Sequence, residues 1–197
     1  MSAPNRRHGV AIYYATRDGQ SRRIAEHIFR RLAQSEMLAP PQDVAVMRPA
    51  AAELAAAAVV VLVAAVRYGR HLPEADRFLA AYRSLESPPP LALASVNLTA
   101  RKPAKTTATG NTYLRKAIAR YRLAPALAVA FAGRLDYQRY SWLDRQIIRF
   151  IMLLTRGPTN PDTCVEYTSW RAVDEFAARI ADLVCAENLI RVDVVTD

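Results

Sequence analysis

The feature that most constrains the fold is an uninterrupted apolar run, Ala58–Ala64, in which Val59–Val63 contains no polar residue. A strand with one face in water alternates apolar and polar side chains, whereas a strand buried on both faces does not. Even with its flanks, Leu54–Val66, the run is shorter than the roughly 20 residues of a membrane-spanning helix. The sequence therefore predicts the central strand of a parallel sheet that is covered by helices on both faces.

Short apolar segments and longer amphipathic segments alternate along the rest of the chain, as is typical of β-α units. Four further strands are predicted at Val10–Tyr14, Asp43–Met47, Leu91–Val96 and Ala126–Ala132. The main predicted helices cover about 21–35, 73–84, 111–121 and 170–186. We therefore expect an α/β fold with a doubly wound, five-stranded parallel sheet. The expected strand order is 2-1-3-4-5, which places a ligand crevice where the first and third strands end.

The length of 197 residues fits one domain, so we expect a single domain over 1–197 with flexible ends at about 1–7 and 188–197. The segment 134–162 lies between the fifth strand and the last helix, and it is too long for an ordinary connection. We interpret it as a functional insertion. The N-terminus shows no signal peptide, and two cysteines cannot form a disulfide scaffold or a zinc site. A cytosolic, reduced chain without a metal is the expectation.

The balance of charge indicates an anionic partner. Lys and Arg total 27 against 18 Asp and Glu, which gives a net charge of +9. A nucleic acid, a membrane surface or an acidic ligand would suit this charge. Nucleic acid is the least favoured of the three, because the positive charges are dispersed and no known binding motif is present.

The turn after the first strand, Thr16–Ser21, reads Thr-Arg-Asp-Gly-Gln-Ser and opens a helix. Its hydroxyl groups, its glycine and the N–H groups of the helix N-terminus suit a phosphate group. Helix capping alone would select the same residue types. The position after the first strand of a doubly wound sheet favours the phosphate site.

Two further loops follow predicted strands and could contact a planar ligand. Tyr68, between Arg67 and Gly69, could stack on a ring, and Ser95–Leu98 lies at the end of the fourth strand. Arg101 and Lys102 continue this second loop and could meet carboxylates or phosphates. Plain solvated loops are the alternative for both segments.

The insertion combines basic and aromatic residues with an amphipathic helix. Arg134 and Arg139 precede Trp142, and the segment 142–154 has one wide apolar face bordered by arginines. A basic amphipathic helix with a Trp at its start is typical of helices that lie on a membrane surface. A helix packed against the sheet needs the same apolar stripe, so both alternatives stay open. The basic charge of the chain favours the membrane slightly.

Taken together, four motifs resemble one family. Thr16–Ser21, Arg67–Gly69, Ser95–Leu98 with Ala100–Pro103, and the block Tyr137–Met152 are similar, in order and spacing, to the bacterial quinone-dependent protoporphyrinogen dehydrogenases. The resemblance implies a flavodoxin-like fold with FMN. It implies oxidation of protoporphyrinogen IX in haem biosynthesis and transfer of electrons to menaquinone or ubiquinone. It also implies a peripheral location on the inner face of the cell membrane, with attachment through about 142–154.

The resemblance also assigns residues. The phosphate of FMN would be held by Thr16, Arg17, Asp18, Gly19, Gln20 and Ser21. The isoalloxazine ring would lie between two groups, Arg67, Tyr68 and Gly69 on one side and Ser95, Val96, Asn97 and Leu98 on the other. The two propionates of the tetrapyrrole would be received by arginines and lysines, for which the candidates are Arg101, Lys102, Arg134 and Arg139. No catalytic acid or base is assigned.

Two other functions fit the same residues. A flavodoxin-type electron carrier or an FMN-dependent NAD(P)H:quinone reductase would share the fold and the phosphate turn. The net charge of +9 and the insertion favour the dehydrogenase over a plain carrier. A basic module without flavin, bound to a membrane or a nucleic acid, is the third alternative.

Overall fold

The predicted central strand forms β3 (Val59–Arg67) in a computed structural model that describes residues 9–33, 38–137, 142–154, 160 and 163–193. β3 pairs in parallel with β1 (Val10–Ala15) along one edge and with β5 (Leu91–Val96) along the other. Every residue from Val59 to Ala64 is fully buried. The apolar run is therefore buried on both faces, as its sequence predicts.

The remaining elements surround these three strands. In chain order the additional strands are β2 (Gln42–Asp43), β4 (Arg70–His71), β6 (Leu127–Phe131), β7 (Arg134–Asp136) and β8 (Cys164–Glu166). The helices are α1 (Gln20–Leu32), α2 (Ala51–Ala56), α3 (Pro73–Arg83), α4 (Thr112–Tyr121), α5 (Trp142–Leu154) and α6 (Trp170–Asp193). Two short 3₁₀ turns, Leu98–Arg101 and Pro103–Lys105, follow β5.

The main sheet has the order β2-β1-β3-β5-β6, with every neighbouring pair parallel. This confirms the predicted fold class and the predicted order 2-1-3-4-5. β4 adds a two-residue antiparallel pairing to the end of β3 and lies outside that order. Because the strands are parallel, the carboxyl ends of β1, β3 and β5 share one edge of the sheet, where a crevice is expected.

Alternate residues of β3 enter two separate cores. Val60, Leu62 and Ala64 pack in the cluster that contains the buried faces of α3 and α4. Val59, Val61 and Val63 pack in the cluster that contains those of α1 and α6. Each face of the sheet is thus closed by its own pair of helices.

Three boundaries differ from the sequence expectations. The second strand is not Asp43–Met47: it ends at Asp43, because the Asp43 side chain accepts a hydrogen bond from the N–H of Ala45 and starts a turn. The segment after the central strand is not a plain loop, since β3 continues to Arg67 and pairs with β4. The last helix does not end at Ala186, and its backbone continues to Asp193.

The insertion leaves and rejoins the domain through an antiparallel pair. β7 and β8 pair in the register Arg134–Glu166, Leu135–Val165 and Asp136–Cys164. Leu135 is fully buried and forms a small separate cluster with Tyr137. This two-stranded stem fixes both ends of the segment that carries α5.

Candidate functional site

A cleft lies at the carboxyl edge of the sheet, with about 1030 Å³ of empty space, part of it open to solvent. It is bounded by the turn before α1, the β3–β4 hairpin, the segment after β5, the first turn of α4, the stem and α5. The lining residues are Thr16, Asp18, Gln20, Ser21, Ala65, Val66, Arg67, Tyr68, Gly69, Val96, Asn97, Leu98, Thr99, Tyr113, Gly133, Arg134, Asp136 and Ile147.

One end of the cleft is the N-terminus of α1. Gly19 precedes the helix with a left-handed backbone, at φ 85°, and its N–H donates to the hydroxyl of Thr16 at 3.0 Å. No side chain caps the helix, and its first turn contains no acidic residue. The N–H groups of a first turn have no acceptor within the helix and carry the positive end of its dipole. This end of the cleft therefore suits an anion.

Ser21 provides an independent indication of the same ligand. Its hydroxyl oxygen is buried, and it has no hydrogen-bond partner among the residues that the structure describes. A buried polar atom without a partner is costly and rare in folded proteins. A phosphate seated on the first turn of α1 would satisfy this hydroxyl. The residues present therefore fit the phosphate group of a nucleotide-like cofactor.

The side chain of Gln20 contributes to the frame around this site. Its amide nitrogen donates to Glu166 at 3.0 Å and to the hydroxyl of Thr168 at 2.9 Å. Arg23 closes the group by donating to the Gln20 amide oxygen and to Glu166, at 3.0 and 3.1 Å. The start of α1 is thereby tied to β8, and so to the base of the insertion.

The middle of the cleft is formed by the β3–β4 hairpin. Tyr68 and Gly69 form its two-residue turn with φ angles of 51° and 78°, as a type I′ turn requires. Tyrosine seldom adopts a positive φ, and such conformations concentrate at functional sites. Tyr68 is 61% exposed, although it lines the cleft. Next to it, Arg67 pairs with Asp18 at 3.2 Å, which joins the hairpin to the phosphate turn.

Beneath the cleft lies a buried network of polar side chains. Asn97 donates to the hydroxyl of Ser95 at 3.1 Å, and that hydroxyl lies 2.9 Å from Nε2 of His71. The amide oxygen of Asn97 accepts from Thr99 at 2.6 Å and from Asn111 at 3.1 Å. The network therefore connects the β3–β4 hairpin to the segment after β5.

Asn111 extends this network into α4. Its amide oxygen accepts from the N–H groups of Tyr113 and Leu114, so it caps the helix. Its amide nitrogen also donates to the carbonyl of Lys105 at 2.9 Å. The loop 97–110 is thus held at both ends against the cleft.

His71 is neutral in this network. Burial lowers its pKa from 6.5 to about 4, against the opposing influence of the Asp76 carboxylate. A neutral imidazole nitrogen can accept the hydroxyl proton of Ser95, while the Ser95 oxygen accepts from Asn97. The Ser95 hydroxyl then both donates and accepts a hydrogen bond.

The insertion contributes residues of its stem and of α5 to the lining of the cleft. From the stem, Arg134 pairs with Asp136 at 3.0 Å and donates to the sulfur of Cys164 at 3.0 Å. From α5, Ile147 reaches the cleft wall. The contribution of Ile147 places the helix of the insertion beside the site.

Most of the residues expected from the sequence meet at this cleft. Of the cofactor candidates, Arg17, Gly19 and Ser95 do not line it: Arg17 is exposed, Gly19 starts α1, and Ser95 lies in the buried network. Of the substrate candidates, Arg134 lines the cleft. Arg101 and Lys102 do not, and Arg139 lies outside the described residues.

Sequence reasoning missed the residues that only the folded chain brings together. His71, Thr99 and Asn111 join the network, while Asp136 and Ile147 join the cleft wall. The only sequence signal for Asn111 is its position directly before a predicted helix, where Asn is a favoured cap. No group of three or more His, Cys, Asp or Glu residues that could hold a metal ion occurs in the described part of the chain.

Comparison with known proteins gives a consistent result. A family model described as a flavodoxin domain matches residues 11–162. The protoporphyrinogen IX dehydrogenase [quinone] of Leishmania major is 39% identical over 89% of this chain and 75% of that protein. The enzyme of that name from Escherichia coli K12 is 37% identical over 87% of this chain and 94% of that protein. The solved structure of a rubredoxin oxygen:oxidoreductase from Desulfovibrio gigas is also similar. The match covers 91% of this chain and 36% of that protein, at 12% identity and a TM-score of 0.55, and it supports the fold alone.

The sheet, the cleft and the matched model together define a flavodoxin-type protein, and FMN is the cofactor of such a domain. Within that class, the chain belongs to the family of the quinone-dependent protoporphyrinogen IX dehydrogenases, which are oxidoreductases. The family expected from the sequence motifs is confirmed.

The first prediction concerns the buried hydroxyl of Ser21. Ser21→Ala should weaken FMN binding by about tenfold or more, because a hydrogen bond to a charged group is worth roughly 1.5–3 kcal/mol. Riboflavin, which lacks the phosphate, should bind to the variant and the natural protein equally. Titrations of flavin fluorescence with both ligands measure this. Equal losses for FMN and riboflavin would contradict the assigned phosphate position.

The second prediction concerns His71 and pH. The unfolded chain takes up a proton at His71 below pH 6.5, whereas the folded chain does so only near pH 4. His71 therefore does not lower the free energy of unfolding above pH 6.5. As the pH drops from 6.5 to 4, its titration lowers the free energy of unfolding by about 3 kcal/mol. His71→Gln, which does not titrate, should lose this pH dependence in urea unfolding measured across the window. An unchanged slope in the variant would show that other groups cause the acid sensitivity.

Proposed function

We propose that this protein oxidises protoporphyrinogen IX to protoporphyrin IX in haem biosynthesis and passes the electrons to a membrane quinone. Its similarity to two protoporphyrinogen IX dehydrogenases [quinone], over 89% and 87% of this chain, carries the proposal. The cleft supports it, because residues of the anion site, the exposed Tyr68 and the stem all line the same cleft. When bound, FMN would accept two electrons in each cycle, in the form of a hydride.

The chain's own residues would bind and orient the cofactor. Ser21, Thr16 and the first turn of α1 would hold the phosphate, with Arg17, Asp18, Gly19 and Gln20 completing the turn. Tyr68 would cover one face of the ring, with Arg67 and Gly69 beside it, and the segment Ser95–Leu98 would approach from the other side. The buried network would keep that segment in place through Asn97.

The substrate's propionates would meet basic side chains at the rim of the cleft. Arg134 is the first candidate, because it is the one of the four basic candidates that lines the cleft among the described residues. Arg101 and Lys102 follow Thr99, which also lines the cleft. Arg139 remains a candidate from the sequence alone.

The quinone would be reached at a membrane surface through α5. Trp142, Phe150 and Leu153 are 69%, 61% and 67% exposed on this helix. No described α5 side chain belongs to the buried clusters of the domain. Among the described residues no helix is long and apolar enough to cross a bilayer. We therefore propose a peripheral attachment on the cytoplasmic side, with the apolar face of α5 lying in the lipid interface.

Anaerobic turnover tests the proposed reaction. FMN-loaded protein should convert protoporphyrinogen IX to fluorescent protoporphyrin IX only when a menaquinone analogue is present. Protein freed of FMN is the matched control and should give no quinone-dependent product. Oxidation of NADH or NADPH by the yellow protein, without porphyrin formation, would instead identify a nicotinamide-dependent quinone reductase.

The role of α5 can be tested at the two exposed positions near its end. Replacing Phe150 and Leu153 by Gln should lower binding to lipid vesicles by at least about tenfold, because two apolar side chains lose their burial in lipid. Folding stability and turnover with a water-soluble quinone should stay unchanged.

The matched control replaces Val46 and Met47 by Gln. These residues are 87% and 49% exposed in the turn after β2, outside the insertion. The control pair should bind vesicles like the natural protein. Equal losses in both pairs would argue against a specific role for α5, and co-sedimentation with vesicles measures the difference.

A further inference from the structure

Positive charge is concentrated in one stretch of the chain. Residues 87–135 contain eight Lys and Arg and no Asp or Glu. Outside this stretch, 19 Lys and Arg are balanced by 18 Asp and Glu. The cations alone are spread along the sequence, as expected above, but the net charge is not, because acidic residues are missing from this region. Almost the whole net charge of +9 therefore belongs to one quarter of the protein.

Five of these cations are exposed, in two segments that the hydrogen bond from Asn111 to the carbonyl of Lys105 holds together. Lys102 and Lys105 lie on the turns after β5, and Arg115, Lys116 and Arg122 lie on and just after α4. All five are exposed, and we call them the basic surface. In the part of the chain that the structure describes, none of the five forms an ion pair. Their nearest basic neighbour on the helix, Arg120, is held by Asp76 at 3.5 Å.

The basic surface borders the mouth of the cleft. Tyr113, in the first turn of α4, lines the cleft, and Lys116 follows it by three residues, which places the two side chains on the same face of the helix. Ile147 of α5 lines the same cleft. The exposed apolar residues of α5 and the basic surface therefore extend from one opening, where an electron acceptor has to approach.

We infer that the basic surface binds the headgroups of anionic phospholipids and orients the cleft toward the bilayer. The inference rests on the proposed function in so far as the electron acceptor is a quinone dissolved in lipid. An anionic bilayer offers phosphates to cations and hydrocarbon to the exposed face of α5 within one interface. The tetrapyrrole substrate, by contrast, carries two carboxylates, too few for five cations spread over the turns and the length of α4.

Co-sedimentation of the FMN-loaded full chain with vesicles tests the inference. The probes are vesicles of phosphatidylcholine alone and of phosphatidylcholine mixed with phosphatidylglycerol. The variant R115Q/K116Q should bind the mixed vesicles about 25-fold more weakly at low salt, since each cation near an anionic surface contributes about fivefold. Binding to phosphatidylcholine alone should not change, and added salt should abolish the difference.

The matched control, R30Q/R179Q, removes the same net charge from α1 and α6, on the opposite face of the sheet. Both arginines are exposed, and neither has an ion-pair partner among the described residues. The control should keep nearly all of its binding to the mixed vesicles. Equal losses in the two double variants, or no loss in R115Q/K116Q, would overturn the inference. FMN titration and urea unfolding establish that both variants are folded and loaded.

Turnover separates the inference from the proposed function. With quinone embedded in mixed vesicles, R115Q/K116Q should show a raised KM for quinone, whereas a water-soluble quinone should be used as by the natural protein. A raised KM for protoporphyrinogen IX, with vesicle binding intact, would assign these residues to the substrate and overturn the inference. Failure of the natural protein to oxidise protoporphyrinogen IX would contradict the proposed function. The co-sedimentation experiment would then still decide whether the basic surface binds anionic lipid.

Discussion

The burial of β3 on both faces is the constraint on which the rest of the structure depends. A strand without a polar face needs a partner strand on each edge and helices above and below it. β1 and β5 fill the edges, and two separate clusters cover the faces. Because all three strands run in the same direction, the turns that follow them converge at one edge. The position of the cleft therefore follows from the burial of β3, because that burial requires the neighbouring parallel strands.

Hydrogen bonds and ion pairs then link the walls of the cleft to one another. Asp18 and Arg67 join the phosphate turn to the hairpin, and Gln20 joins it to β8. The network around Asn97 joins the hairpin to α4. These contacts come from segments that are far apart in sequence. They explain how loops, which are usually mobile, can present a defined surface to a planar ligand.

The sequence predicted the parts of the fold that depend on local pattern. The apolar run and the turn Thr16–Ser21 were accessible, because burial and turn chemistry leave a periodic or compositional signal. The strand order was expected from the general preference of doubly wound sheets and not from the local pattern. The two-residue strand β2 was placed wrongly, since one side-chain bond of Asp43 outweighs the β-propensity of the residues after it. The hydrogen bonds of the network around His71 could not be predicted, because they join Ser95, Asn97 and Asn111 to side chains of other segments.

The antiparallel stem has a consequence for how such a protein can change over evolutionary time. Since β7 and β8 pair residue by residue, the chain leaves and returns at neighbouring points. The segment between them can be lengthened, shortened or exchanged at little cost to the sheet, because closing a longer loop costs little additional entropy. Replacement of this one segment can thus give the same domain a different membrane attachment or a different substrate, while the residues that bind the cofactor stay the same.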